Sequence, residues 1–66
     1  MIADVEVFRA AKDLVDQHGK RAPREALTRA DQLARAGDSD GCAVLMHVAS
    51  ACRELLNTNR GGAALN

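Results

Sequence analysis

Apolar and polar residues alternate along this chain with the period of a helix. From Asp4 to His18 the positions Val7, Phe8, Ala11, Leu14 and Val15, together with His18, fall within roughly a third of a turn at about 100° per residue. That predicts a first helix with one inward face. Asp4 suits the N-cap, and Gly19 supplies the left-handed residue that commonly ends a helix. Arg9 with Asp13, and Lys12 with Asp16, stand at the i,i+4 spacing of helical ion pairs.

A second helix opens around Pro23, which is tolerated in a first helical turn because that N–H has no helical partner. Behind it Ala26, Leu27, Ala30, Leu33 and Ala34 make the expected inner face, and Gly37 is the next stop. Glu25 to Arg29 and Asp31 to Arg35 are acid-before-base pairs, the favoured order. Gly37-Asp38-Ser39 then reads as a short turn, with Asp38 or Ser39 capping a third helix that runs to about Asn57.

The third stripe is the widest. Cys42, Leu45, Ala49, Cys52 and Leu56 form its centre, and Val44, Val48, Ala51 and Leu55 extend it to nearly half the circumference. Packing against one neighbour uses less than that. The third helix is therefore expected either between the other two or shared with a second copy. From Asn57 onward the pattern stops, and 58–66, with Gly61-Gly62, reads as a flexible tail. No run alternates as a strand would. The expected fold is all-α, a small up-down-up three-helix bundle over 1–57 followed by that tail.

Length sharpens this expectation. Sixty-six residues make one domain or less, and a chain of that size buries only about 60% of the surface it exposes when unfolded. Tight packing, a metal, disulfides or self-association must assist it. Cys42 and Cys52 cannot pair with each other on one helix. They would stand about 15 Å apart against roughly 6 Å for bridged Cα atoms. They read as small buried groups in a reducing cytoplasm. The acids Asp4, Glu6 and Asp13 sit where a signal peptide needs a basic start, and no apolar run is long enough to span a membrane.

Charge is balanced overall, with nine Lys plus Arg against nine Asp plus Glu, but not evenly placed. Met1 to His18 carries four acids and two bases, a net −2, whereas Lys20 to Arg35 carries five bases and two acids, a net +3. Lys20, Arg21, Arg24, Arg29 and Arg35 are therefore the candidate contacts for an anionic partner such as nucleic acid. Against that reading, no aromatic is interleaved for base stacking, and the turn before the third helix is acidic.

Three catalytic or metal motifs fail on context. Gly37-Asp38-Ser39-Asp40-Gly41 matches the Gly-x-Ser-x-Gly nucleophile elbow, but that elbow needs a strand before the serine. Asp38-x-Asp40 opens like a calcium loop, yet Cys42, Ala43 and Ala49 occupy the later ligand and glycine positions. Zinc would need several of Cys42, Cys52, His47 and His18 together, and His47 is rotated about 140° from both cysteines. No cofactor, metal or catalytic residue is expected.

His18-Gly19, Ala22, Ala26, Arg29-Ala30-Asp31, Leu33, Gly37-Asp38 and Gly41 resemble the pattern of a family of short bacterial all-helical proteins of unknown function. The likeness spans about Val7 to Leu56. Members tend to carry Trp where this chain has Leu45. The resemblance implies a small, helical, bacterial, cytoplasmic protein and carries no activity or site residue with it.

The sequence therefore points to a non-enzymatic helical protein-interaction module that associates with itself or with another protein. Val44, Val48, Ala51 and Leu55 are the expected contact surface. The alternative is an accessory nucleic-acid binder using the stretch from Lys20 to Arg35.

Overall fold

The structure is a computed structural model that describes the backbone of residues 4–65 and the side chains of residues 5–57. Three α-helices follow one another: α1 Asp4–His18, α2 Ala22–Arg35 and α3 Ser39–Leu65. No strand occurs among the described residues, so the fold is all-α. Between α1 and α2 lies only a single 3-10 turn, Gly19–Arg21. Gly19 takes φ +57°, the left-handed conformation its position requires, and the helical path from Asp4 to Arg35 bends there instead of ending. The chain is thus a bent helical arm laid on one long helix. What the structure establishes of the expected bundle is its all-α class.

The turn between α2 and α3 is fully accounted for by its hydrogen bonds. Gly37, at φ +85°, donates to the Ala34 carbonyl at 3.1 Å, and Asp38 donates to the Leu33 carbonyl at 2.8 Å. Those two bonds are the Schellman ending of α2. Asp38 then caps α3, its Oδ1 accepting from the Gly41 N–H at 2.9 Å. One residue thereby closes one helix and opens the next. So short a connection folds α2 and α3 into an antiparallel hairpin.

Alanine fixes how closely the hairpin packs. Ala22, Ala26 and Ala30, spaced four apart along one face of α2, are all buried, and α3 supplies Val48, Ala49 and Cys52. With little more than a methyl group on the α2 side, the helices approach closely. The remaining helix, α1, covers the inner side of the hairpin with Ala11 and Leu14. Its Ala11 carbonyl accepts from the Cys52 thiol at 3.6 Å.

Three expectations are corrected here. Leu27 and Ala34 were placed on the inner face of α2, but both are exposed, and Ala22 takes an inward position instead. Phe8, expected inside, is about half exposed. Further on, α3 does not stop at Asn57: its backbone stays helical to Leu65. Extending a helix already nucleated costs little per residue, and glycine raises that cost by only about 1 kcal/mol without forbidding the helix. Gly61-Gly62 was therefore an insufficient stop. The expected boundary between a domain over 1–57 and a tail over 58–66 falls where the side chains lie outside the described residues.

Candidate functional site

The residues expected to form an open contact surface are mostly spent inside the chain. Val48 is 2% exposed and Ala51 8%, and both belong to the core cluster, while Val44 and Leu55 are half-buried against it. The correction has a simple cause. A helical stripe shows that a face is apolar but not which neighbour already covers it, and α1 lies on the side of α3 that carries these four.

Two other apolar surfaces remain open. One is a groove of about 650 Å³ on the inner side of the hairpin, beside α1. Leu33, Val44, Leu45 and Val48 make its floor along the α2–α3 seam, and Leu14 and Ala10 of α1 its wall. Its rim carries Asp13 and Gln17 on α1 and Arg29 and Gln32 on α2, one acid and one base among two amides. Val44 and Val48 thus reach a surface after all, as groove lining.

The second surface is the outer face of the hairpin. At about 100° per residue, Leu27, Ala34 and Pro23 on α2 lie on the side opposite the groove residues Arg29 and Gln32. Cys42 and Met46 on α3 lie likewise opposite Val44 and Val48. Leu27 is 41% and Met46 55% exposed, two of the four large apolar side chains that the described residues leave in solvent. The other two, Val5 and Phe8, are on α1. The sequence reading missed the outer face because Met46 lies beyond the edge of the stripe and Leu27 had been placed inside.

The five basic residues do not converge. Arg29 pairs with Glu25 at 3.6 Å and Arg35 with Asp31 at 3.0 Å, the two acid-before-base pairs expected. Lys20, Arg21 and Arg24 stay together near the bend, exposed and in no ion pair among the described residues. Arg35 stands about 16 Å further along α2 from Arg24. Neither Arg9–Asp13 nor Lys12–Asp16 forms among the described residues, in keeping with the weaker base-before-acid order.

The remaining chemistry-bearing residues resolve into structural positions. Ser39 of the Gly-x-Ser-x-Gly match is the first residue of α3, in a helix-to-helix turn. Among the described residues no three of His, Cys, Asp and Glu stand close enough to hold a metal ion. Cys42 and Cys52 are both free thiols, and burial pushes the Cys52 thiol pKa up from its ordinary value. His18 packs half-buried at the end of α1, with its Nε2 sealed from solvent and without a hydrogen-bond partner among the described residues. Comparison with protein-family models, with curated proteins and with solved structures finds no match.

Proposed function

We propose that this chain is a non-enzymatic helical protein-interaction module, an up-down-up three-helix bundle that associates with itself. The observation that supports the reading is the outer face of the α2–α3 hairpin. Among the described residues the largest fully buried side chains are Val48 and Cys52, while Leu27 and Met46 are left outside on one side. A core of alanine, valine and cysteine with Leu14 as its one buried leucine among the described residues releases little transfer free energy, so covering that face adds stability the monomer lacks. A reducing cytoplasm suits its two free thiols, and the likeness to short bacterial helical proteins belongs to the same reading.

Solution mass across a concentration series, by light scattering or sedimentation, tests the proposal. A rise from the 7.0 kDa monomer to a closed small oligomer is expected. A single monomeric species up to millimolar concentration overturns self-association. The alternative, an accessory nucleic-acid binder, draws support from the cluster Lys20, Arg21 and Arg24 alone, which forms no ion pair among the described residues, since Arg29 and Arg35 are engaged by carboxylates. It requires a gel shift at low salt that Lys20→Gln, Arg21→Gln and Arg24→Gln together abolish.

A further inference from the structure

We propose that the groove between α1 and the α2–α3 seam binds a small organic cation with an aliphatic body, a primary alkylammonium. The inference goes beyond self-association and does not depend on it, because the groove and the outer face lie on opposite sides of the hairpin.

The dimensions of the groove suit a small ligand. Its volume of about 650 Å³ lies within the roughly 300–1,000 Å³ of small-molecule sites. Along α1 it runs from Ala10 to Gln17, about 10 Å or two helical turns. An alkyl chain of moderate length fills that span, whereas a docked partner helix would overhang it.

The floor supplies apolar contact. Leu33, Val44 and Leu45 are only half-buried, so each keeps apolar surface that a ligand can remove from water. No aromatic ring lines the groove, and aliphatic walls suit a flexible chain better than a flat ring.

The rim selects the sign of the charge. Asp13 on the α1 wall is in no ion pair among the described residues, neither with Arg9 nor with Arg29. Glu6, seven residues earlier and so on the same edge of α1, is exposed and likewise in no ion pair among the described residues. The base across the groove, Arg29, is held on the α2 wall by Glu25 at 3.6 Å. What the rim offers a ligand is thus the Asp13 carboxylate, with the side-chain carbonyl of Gln17 one turn further along α1. Both accept from an ammonium N–H. An anionic head group would instead meet that carboxylate and find the guanidinium already engaged.

Methyl NMR titration of the full chain with hexylammonium, octylammonium and octanoate tests the site. Octylammonium should shift the signals of Leu33, Val44 and Leu45 and leave those of Leu27 and Met46 in place. Its two extra methylenes should tighten binding relative to hexylammonium, by up to about fourfold each. Octanoate should bind several-fold more weakly than octylammonium. Asp13→Asn, at an exposed position, should weaken octylammonium binding about two- to fivefold, the range of a solvent-accessible ion pair. Asp16→Asn makes the same change of net charge on α1 away from the groove lining and should leave binding unaltered. Octanoate binding as tightly, or the two Asn variants behaving alike, overturns the choice of a cation. Shifts centred on Leu27 and Met46, or none in the groove at millimolar octylammonium, overturn the site itself. A chain that stays monomeric yet passes these tests keeps the site and loses self-association.

Discussion

At the scale of single residues, Cys52 couples the core to pH. Its thiol is fully buried, and burial disfavours the thiolate, so its pKa in the folded chain lies above the ordinary 9.0. The sign follows from linkage. Below about pH 9 both folded and unfolded chains hold this proton, and the contribution to stability is fully present. As pH rises past that value the unfolded chain releases the proton while the folded chain retains it, and stability falls. Urea unfolding of wild type against Cys52→Ala, repeated from pH 7 to 10.5, should show a loss above pH 9 in the wild type that the variant lacks. Equal pH slopes would mean that the thiol is not sealed. The same burial predicts that a thiol reagent labels Cys42 in the native chain and reaches Cys52 only through unfolding.

Gly37 offers a second test at this scale. Its φ of +85° is open to glycine and strained for any residue with a Cβ, although no atom stands within 4 Å of where that Cβ would go. The cost of Gly37→Ala is therefore conformational alone, about 1–2 kcal/mol, and Gly37→Asn should recover part of it. A thermal melt that leaves Gly37→Ala unchanged would contradict the left-handed turn.

Among the elements, α2 decides how tightly the chain closes, because its buried face is alanine. Ala26→Leu forces added methyl groups against α3 and should destabilise by about 1–3 kcal/mol or force the hairpin apart. The same change at exposed Ala43, on the solvent side of α3, should be nearly neutral. Chemical denaturation of the two variants side by side checks the difference. That contrast also shows where the sequence was legible. Gly19, Gly37 and Asp38 marked the helix ends because each acts through its own backbone, and the acid-before-base pairs acted within one turn. Facing was harder. Alanine is nearly neutral as a hydrophobic signal, so the stripe of α2 extends in sequence over Ala26, Leu27, Ala30, Leu33 and Ala34, whereas Ala26 and Ala30 hold the inside together with Ala22, and Leu27 and Ala34 are exposed. The choice between Val48 and Met46 as the open side of α3 depended on where α1 lies, and no period within α3 contains that information.

For the whole molecule, folding and association should be linked. A chain that buries mainly small side chains starts near the margin of stability, and each contact that only the folded state can make adds to it by mass action. If two copies share the outer hairpin face, the melting temperature must rise with protein concentration, because the dimer forms from folded chains and not from unfolded ones. A monomer melts at one temperature whatever its concentration. Leu27→Lys with Met46→Lys places a charge at both exposed large apolar positions of that face and leaves the buried set Ala26, Ala30, Val48 and Cys52 untouched. The double variant should therefore keep its helical circular dichroism at low temperature, melt lower than wild type at high concentration, and lose the concentration dependence. If it loses helicity outright, Leu27 and Met46 belong to the fold of the single chain. If wild type and variant melt alike at every concentration, that face has no partner in solution, and the groove of Leu33, Val44, Leu45 and Val48 becomes the surface on which an interaction must be sought.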